Sequence, residues 1–435
     1  MAGLRKSPQK FDASEAPEAL LAQALKQALG HVAQGAGASP TVVLAYSGGR
    51  DSTVLLDLAC RLRDEGFAPA RSLLAVHVHH GLQPAADAWA MHCHEQCQHR
   101  GIAFELMKVA VKRGKAGIEA AAREARYGAL LQAAASHRAQ AVCVAHHLDD
   151  RIETFLLQWL RGAGVAGLSS FPFERQLSPG VRLLRPFAQT PRRWLEAYCV
   201  RYELPFVDDP SNEDEAHARS ALRQHVMPAL ERIRPDFRRT TARSIDLLAQ
   251  MGELLEEVAG DDFAQCVQGT QGDRLSLAAL RTLSASRQQE VLRFWLRLQG
   301  LQAPSRAQLC EMLRQALDAR SDARVRMRLG PSELYRYRGQ LLLRQASLAV
   351  SRQAVALSWQ GQPCLEVPAW GGRLFFEPAS EGFDAQWLQA GPLIMGSRTG
   401  GERLKLHLRR PSKALKACFQ EAGVAEPERG LLPLL

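Results

Sequence analysis

The sequence SGGRDS at residues 47–52 has the residue types of a loop that binds phosphate groups. It follows the apolar run TVVLAY at 41–46 and precedes a helical pattern that begins near Thr53. Glycines let the backbone turn tightly and direct its N–H groups inward, and the following helix adds its positive N-terminal end. No lysine is present here, which excludes the G-x-x-x-x-G-K-[ST] loop. We therefore predict a cradle for the phosphates of a nucleotide, formed by Ser47, Gly48, Gly49, Arg50, Asp51 and Ser52.

A second polar motif, HHLDDRIET at residues 146–154, follows the apolar run AVCVA at 141–145. Carboxylates such as Asp149 and Asp150 can coordinate a Mg²⁺ ion that bridges nucleotide phosphates. A histidine such as His146 can donate to a phosphate or act as a general acid or base. We predict that this motif lies beside the SGGRDS loop and that the catalytic groups are Asp51, His146, Asp149 and Asp150.

Each motif also has a simpler interpretation. Asp51 and Ser52 are suited to cap a helix after a Gly-Gly turn. Asp149 and Asp150 are suited to complement the dipole of the helix that follows them. A metallohydrolase with a His-His-Asp-Asp site is a further alternative, but it would leave the SGGRDS loop without a purpose.

Short apolar runs alternate with helical patterns from residue 41 to about residue 209, which is typical of a parallel sheet covered by helices. The predicted strands are residues 41–46, 73–78, 104–109 and 141–145, and the predicted helices include residues 53–63, 118–134 and 152–161. Runs that are apolar throughout suit strands buried on both faces. The predicted fold class is therefore α/β, with an open parallel sheet whose ligands bind beyond the carboxyl ends of the strands.

The length of 435 residues predicts more than one domain, because single hydrophobic cores stop growing at roughly 250 to 300 residues. We predict a polar tail at 1–20, a nucleotide-binding catalytic domain at 21–229, a mainly helical substrate-binding domain at 230–346 and a small basic α+β domain at 350–435. The arginine-rich stretch 231–243 is interpreted as a linker into the helical domain. Alternating apolar residues at 325–329 and 334–343 predict a hairpin at the end of that domain.

The composition is that of a globular protein, with 46% hydrophobic and 23% charged residues. No apolar run approaches the roughly 20 residues of a membrane-spanning helix, and the first twenty residues lack the apolar segment of a secretory signal. We therefore expect a cytoplasmic protein with no membrane partner. The net charge of +10 favours a polyanionic partner, because phosphates that bind Lys and Arg release counterions.

The nine cysteines are scattered and include no C-x-x-C pair, which argues against a disulfide framework and against a four-thiolate metal site. Cys93 and Cys97 lie close in sequence to His92, His94 and His99, a group whose side chains are of the kind that bind zinc. The interpretation we favour is a helix that packs its cysteines on one face and exposes its histidines.

Several motifs resemble, in their order along the chain, those of the tRNA(Ile)-lysidine synthetase family of PP-loop ATPases. They are the SGGRDS loop, HVHHGL at 77–82, EAAAREARY at 119–127, HHLDD with Glu153-Thr154, RGAGVAGL at 161–168, Arg185-Pro186 and DPSN at 209–212, followed by Arg219 and Arg223. The similarity covers almost the whole chain.

Three features depart from the family's pattern. Arg151-Ile152 stand where Gln-Ala is usual, and Ser220-Ala221 stand where Asn-Arg is usual. The chain also stops at Leu435, where family members usually continue, so we expect a shortened final domain.

The resemblance implies a two-step ligation that uses ATP, Mg²⁺, free L-lysine and an isoleucine tRNA with a CAU anticodon. The 2-carbonyl oxygen of the first anticodon cytidine would be adenylated, and the ε-amine of lysine would then displace AMP to give lysidine. In this scheme His146 and Asp150 serve the activation step, Asp51, Asp149 or Asp150 holds Mg²⁺, and Arg123 contacts ATP. The residues implied to contact tRNA or phosphate are Arg219, Arg223, Arg403, Lys405, Lys413 and Lys416.

The nearest alternative is a PP-loop enzyme that thiolates tRNA. Such enzymes commonly need paired C-x-x-C cysteines, which this sequence lacks. The basic carboxyl-terminal segment argues against the PP-loop enzymes that act on small molecules. A non-catalytic RNA-binding protein with an ATP-binding fold stays open, and so does a homodimer.

Overall fold

The computed structural model describes residues 17–36, 40–70, 72–81, 83–111, 118–209, 218–269, 272–320, 325–345, 354–380, 382–405, 411–424, 426–430 and 432–435. The described chain divides into two compact units, of which the first ends at Leu254 and the second begins at Leu255. Among the described helices, none is both long enough and apolar enough to span a membrane.

The first unit alternates helices with strands. In chain order these are α1 (Pro17–Ala36), β1 (Thr41–Ala45), α2 (Arg50–Asp64), β2 (Ser72–His79), α3 (Ala86–His99), β3 (Ala103–Lys108), α4 (Ile118–Ser136), β4 (Ala141–Cys143), α5 (Leu148–Leu160), α6 (Val165–Leu168), β5 (Glu174–Ser178), β6 (Val181–Leu184), α7 (Arg192–Arg201), α8 (Ala218–Ala221), a π-helical turn (Leu222–Val226), α9 (Met227–Ile233) and the part of α10 (Phe237–Cys266) up to Leu254.

The six strands of this unit form one sheet in the order β3-β2-β1-β4-β6-β5. All neighbouring pairs are parallel except β5 and β6, which form an antiparallel pair at one edge. The prediction of an α/β fold with an open parallel sheet is thereby confirmed, with one antiparallel strand added. The chain proceeds outward from β1 to β2 and β3 on one side and then returns to β4 on the other. The switch point of the topology therefore lies between β1 and β4.

The central strand β1 is buried on both faces of the sheet. Val42 and Leu44 belong to a core that includes Leu25 of α1 and Leu55 of α2, whereas Val43 belongs to the core on the opposite face. Alternate side chains of a strand point to opposite faces, so helices on both sides require an apolar residue at every position. This explains why the sequence TVVLA lacks the polar alternation of a half-exposed strand.

The second unit contains helices and small antiparallel sheets. Its elements are β7 (Val267–Gln268), β8 (Arg274–Ser276), α11 (Leu277–Thr282), α12 (Ala285–Leu298), α13 (Arg306–Asp318), β9 (Arg326–Leu329), β10 (Ser332–Tyr337), β11 (Gln340–Gln345), β12 (Val355–Leu357), β13 (Cys364–Val367), β14 (Gly372–Phe375), α14 (Ala385–Gln389), β15 (Leu393–Met395), β16 (Arg403–Leu404), β17 (Lys413–Ala414), α15 (Leu415–Glu421) and α16 (Glu426–Arg429). Strands β7 to β11 form one sheet in the order β7-β8-β11-β10-β9, and β10 and β11 are the predicted hairpin. The core between the helices and this sheet includes the fully buried Trp295, whose indole N–H donates to the carbonyl of Gly272 at 2.7 Å.

The arginine-rich stretch 231–243 is helical rather than the linker that the sequence predicts. Most of it belongs to α9 and α10. Phe237 is buried, and Arg238 bonds both Asp149 and Glu231 at 2.5 and 2.7 Å. Arg238 thus pairs with one carboxylate of the stretch itself and with Asp149, which is distant in the sequence, and the second contact was not visible in the local sequence.

The segment that contains the cysteines and histidines is helix α3. Cys93 and Cys97 are buried in the core, while His94 and His99 are exposed. No group of three or more His, Cys, Asp or Glu side chains within the described ranges converges on a metal-sized site. The two cysteines pack as core residues.

Candidate active site

The two polar motifs meet at the switch point between β1 and β4. The SGGRDS loop follows β1, the HHLDD motif follows β4, and the two strands are parallel neighbours. Parallel strands end at the same edge of a sheet, where open α/β folds bind their ligands. Nε2 of His147 lies 3.6 Å from Oδ2 of Asp51, so side chains of the two motifs touch.

The SGGRDS loop is shaped by its glycines and held by its serines. Gly48 has a φ of +84°, and Gly49 is extended and immediately precedes helix α2. The Ser52 hydroxyl donates to the carbonyl of Gly49 at 2.8 Å, and the hydroxyls of Ser47 and Ser52 are 3.1 Å apart. The backbone N–H of Val207 donates to the carbonyl of Gly48 at 2.9 Å. The loop is therefore pre-organised at the N-terminal end of α2, where the helix dipole favours phosphate.

We predict that Gly48→Ala destabilises the protein by about 1 to 3 kcal/mol and weakens nucleotide binding. A Cβ at Gly48 would lie 2.8 Å from Sγ of Cys93 and 3.0 Å from a methyl group of Val207, at a φ that L-residues rarely adopt. Gly66→Ala is the matched control, because Gly66 has a φ of +78° but open space around its Cβ position. Urea unfolding and nucleotide titration of both variants should show the larger loss for Gly48. Equal losses would mean that the close contact has no effect.

Asp51 lies in the first turn of α2 and has one carboxylate oxygen without a protein partner. Its Oδ1 is buried and accepts no hydrogen bond from the described residues. A buried carboxylate oxygen in this condition is costly unless a ligand satisfies it. Mg²⁺ is commonly held by one or two carboxylates together with phosphate oxygens. The donor set beside the phosphate loop therefore fits this ion.

His147 caps α5 and bridges the two motifs. The backbone N–H of His147 donates to Oδ2 of Asp150 at 2.9 Å, which closes one half of a capping box. Nδ1 of the ring lies 3.5 Å from the same carboxylate oxygen, and Nε2 faces Asp51. Burial opposes protonation of the ring, but the carboxylates of Asp150 and Asp51 raise the pKa of His147 to about 9. The ring thus lies between two carboxylates, and its Nδ1 accepts the backbone N–H of Asp150 at 3.4 Å, which closes the other half of the capping box.

We predict that His147 makes stability depend on pH. The pKa of His147 rises from 6.5 to about 9 on folding, so its stabilisation is complete below about pH 6.5 and is lost as the pH rises through 9. The difference in unfolding free energy between the wild type and His147→Gln should shrink by about 3 kcal/mol between pH 6 and pH 10. Urea unfolding without nucleotide or metal measures this. A difference that does not change with pH would contradict the bridging role.

His146, which the sequence nominated, occupies a different environment from His147. Its ring centroid lies 5.4 Å from that of Phe171, and its Nδ1 is buried without a hydrogen-bond partner in the described structure. Burial lowers the pKa of His146 more than the carboxylate of Asp150 raises it, and Arg185 and Arg123 lower it further. The ring is therefore neutral at pH 7. Burial raises the pKa of Asp150, but the His147 ring, the His147 backbone N–H and Arg219 contribute together to holding it below its usual range, so Asp150 stays ionised.

Two other residues that the sequence predicts for the site, Asp149 and Arg50, have side chains that pair elsewhere in the fold. Asp149 is buried, and its carboxylate accepts from Nε of Arg238 at 2.5 Å and from the backbone N–H of Arg192 at 3.3 Å. Arg50 donates to Glu196 at 2.7 Å. Its guanidinium also covers the ring of Phe206 at 5.0 Å. Both side chains have partners in the fold, whereas Oδ1 of Asp51 has none among the described residues.

Arg219 and Arg223 lie against helix α5. Arg219 donates to the hydroxyl of Thr154 at 2.9 Å. Arg223 lies in the π-helical turn and forms a two-point pair with Glu153, at 2.9 and 3.0 Å, and the side chain of Glu153 is fully buried. Short π-helical segments are frequent at functional sites, and this one directs Arg223 into the domain rather than toward solvent.

The nominated basic residues of the carboxyl-terminal segment lie on the surface of the second unit. Arg403 donates to the hydroxyl of Ser412 at 3.0 Å, and Lys413 pairs with Glu421. Lys405 and Lys416 are exposed. The nearby Arg409 and Arg410 lie outside the described residues.

His147 is the functional residue that sequence reasoning missed. A signal was present, because the residue before a helix is its N-cap and the third residue of the helix completes a capping box. Because α5 begins at Leu148, His147 is the N-cap and Asp150 is the third helical residue that completes the box. The helix predicted over residues 152–161 begins four residues later than α5, so the prediction does not identify His147 as the N-cap.

Comparison with known proteins agrees with this architecture. Family models match at residues 19–230 (PP-loop domain), 275–342 (TilS substrate binding domain) and 393–435 (TilS substrate C-terminal domain). A distant likeness to a solved structure, the U34-tRNA thiolase NcsA from Methanococcus maripaludis, has 18% identity over 53% of this chain and 78% of that chain, with a TM-score of 0.42. A score at this level carries no argument about activity.

Curated relatives are similar over nearly the full length of the chain. The tRNA(Ile)-lysidine synthase of Ralstonia nicotianae is 44% identical over 92% of this chain and 87% of its own length. The protein of the same name from Chromobacterium violaceum is 38% identical over 90% and 88%, respectively, and that from Shigella flexneri is 36% identical over 91% and 89%. At this identity and coverage, the chain belongs to the tRNA(Ile)-lysidine synthase family.

Proposed function

We propose that this protein ligates free L-lysine to the 2-position of the first anticodon cytidine of an isoleucine tRNA with a CAU anticodon. ATP is consumed, and lysidine, AMP and pyrophosphate are formed. One observation carries the proposal: a pre-organised phosphate loop and a His-Asp motif meet at the switch point of the sheet in a chain of this family. The two motifs supply the phosphate-binding loop and the charged side chains that an adenylation needs next to each other.

In the first step, the 2-carbonyl oxygen of cytidine attacks the α-phosphorus of ATP and pyrophosphate leaves. Backbone N–H groups of the SGGRDS loop and the N-terminal end of α2 are suited to bind the departing pyrophosphate. We assign the ion contact to Asp51, whose Oδ1 lacks a partner in the described part of the chain. A bound Mg²⁺ would neutralise negative charge on the phosphates. His147 orients Asp51 from the other motif.

In the second step, the ε-amine of lysine attacks C2 of the activated base and the C2–oxygen bond breaks, so that the oxygen departs with AMP. The ε-ammonium must first lose a proton. His146 is neutral at pH 7 but is a weak base, because burial lowers its pKa to about 3. Its Nδ1, which has no partner within the described structure, is therefore suited to accept a hydrogen bond rather than a proton. The ionised Asp150 would attract the ammonium group before its proton is lost.

We propose that the exposed lysines of the carboxyl-terminal segment bind tRNA phosphates. Each of Lys405→Gln and Lys416→Gln should weaken tRNA binding and make the salt dependence of log K shallower by about 1. Lys26→Gln is the matched control, since Lys26 is an exposed lysine of α1 that pairs with Glu65. Filter binding across a salt series measures both quantities. Unchanged slopes for the two variants would remove these lysines from the interface.

The direct test is incorporation of labelled lysine into an isoleucine tRNA transcript with a CAU anticodon, in the presence of ATP and Mg²⁺. A methionine tRNA with the same anticodon is the control. Incorporation into the isoleucine tRNA alone is the expected result. Pyrophosphate release with some other acceptor and no lysine incorporation would refute the lysidine assignment. We further propose a cytoplasmic location, where tRNA and free lysine are found, and the homodimer stays a prediction.

A further inference from the structure

Arg185 is a buried cation without an anionic partner. Only 2% of the residue is exposed, and its guanidinium forms no salt bridge with any carboxylate in the described ranges. Nη1 donates to the carbonyl of Pro172 at 2.6 Å, while Nε is buried and has no hydrogen-bond partner there. Burying an unpaired charge is costly. A residue in this condition therefore indicates a ligand that the folded chain does not itself supply.

The surroundings of Arg185 add positive charge rather than remove it. The Arg185 guanidinium lies 4.5 Å from the centroid of the Phe171 ring. The Arg123 guanidinium lies 5.1 Å from the centroid of the Tyr127 ring. Burial lowers the pKa of Arg185, the Tyr127 hydroxyl raises it, and the cations Arg175 and Arg123 lower it again. Two aromatic rings and the guanidinium groups of Arg185, Arg123 and Arg175 thus lie close to one another.

The topology places this region at the ligand-binding edge of the sheet. Arg185 directly follows β6, and His146 lies three residues after the end of β4, the parallel neighbour of β6. Arg123 lies near the start of α4, the helix that connects β3 to β4. The ring of His146 packs on Phe171 from one side and the guanidinium of Arg185 covers it too. The side chains of Arg185 and His146, each of which has a nitrogen without a partner in the described structure, therefore contact the same aromatic ring.

We propose that Arg185, together with Arg123, forms a subsite for one phosphate group between the rings of Phe171 and Tyr127. A guanidinium presents N–H groups in a planar fork that matches phosphate oxygens. The proposal rests on the function proposed above and adds a phosphate contact separate from the SGGRDS loop. The phosphate comes either from the nucleotide or from the phosphodiester backbone next to the target cytidine.

The test measures binding rather than turnover, so that it stands apart from the lysine-incorporation assay. Wild type, Arg185→Met and Arg185→Lys are titrated with a non-hydrolysable ATP analogue plus Mg²⁺ and, separately, with an anticodon stem-loop RNA. Arg182→Met is the matched control, because Arg182 lies on β6 and already pairs with Glu174 at 2.9 Å. Arg185→Met should weaken one ligand by roughly 10- to 100-fold, as expected for a charged hydrogen bond.

The outcomes separate the two sources of phosphate. Weaker binding of the analogue alone assigns the subsite to the nucleotide, and weaker binding of the RNA alone assigns it to the phosphodiester. Unchanged binding of both by a folded Arg185→Met would overturn the proposal. Equal weakening of both would indicate a general loss of domain structure and would also count against it.

A measurement on the wild type covers the case in which the variants fail to fold. In protein labelled with ¹⁵N-arginine, the Nε–H resonance of Arg185 should move downfield when the correct ligand is added, because an unpartnered donor acquires an acceptor. A resonance that moves with neither ligand would overturn the proposal by itself. Loss of lysine incorporation with an intact shift would instead refute the proposed reaction and leave the subsite standing.

Discussion

Asp51→Asn is expected to slow tRNA-dependent pyrophosphate release by about 1,000-fold while leaving the fold intact. The variant keeps the shape of the side chain but removes its negative charge from the phosphate loop, and preorganised groups of this kind contribute roughly 100- to 1,000-fold each. Oδ1 has no partner among the described residues, so little protein–protein bonding is lost there. A pyrophosphate-release assay under single-turnover conditions measures the effect, since it isolates the adenylation step.

The control for this experiment is on the same helix. Asp64 is exposed near the end of α2 and pairs with Arg63. Asp64→Asn changes the net charge equally, and its rate should stay within about twofold of the wild type, as for most surface substitutions. If Asp51→Asn retained a normal rate, the assignment of the loop would be wrong. A fall in both variants would indicate a nonspecific effect of charge.

The second large effect concerns stability rather than rate. Arg223→Met should destabilise the protein by about 3 kcal/mol, because it leaves the fully buried carboxylate of Glu153 without its two-point partner. Burial raises the pKa of Glu153, so part of the loss will be recovered by protonation of Glu153 at low pH. Urea unfolding at neutral and acidic pH measures both parts.

A double variant separates the buried pair from a role in RNA binding. Arg223→Met with Glu153→Gln removes both charges and should restore most of the stability that Arg223→Met loses. Arg219→Met is the comparison and should cost much less stability, because Arg219 donates to the neutral hydroxyl of Thr154 and not, within the described structure, to a buried carboxylate. If Arg223→Met instead kept full stability and weakened tRNA binding, the tRNA contact suggested by the family resemblance would be the better description.

The local units of the active site could be predicted from the sequence. The apolar run 41–46 and the glycines after it predicted a strand, a phosphate loop and a helix, and the structure has β1, a loop with a left-handed Gly48, and α2 in these places. Such units depend on interactions between residues a few positions apart. Parallel strands share one edge for their carboxyl ends, so the meeting of the two motifs also followed from the predicted fold class.

The choice between neighbouring residues could not be made from the sequence. Successive side chains of an extended chain point to opposite sides, and those of a helix point about 100° apart, so the start of α5 decides which member of each adjacent pair faces the loop. With α5 beginning at Leu148, His147 reaches Asp51 while His146 packs on Phe171. Asp150 becomes the partner of His147, and Asp149 is left to pair with Arg238.

By itself, the sequence determined the fold class, the phosphate loop and the edge of the sheet where chemistry takes place. The tertiary structure decided which charges are available there. Arg223 pairs with Glu153 across 70 residues, and Arg238 pairs with Asp149 across 89 residues, whereas Arg185 is buried without such a partner in the described structure. The physical reason is that the charge state and the partner of a side chain depend on burial and on contacts distant in sequence, which arise only when the elements pack.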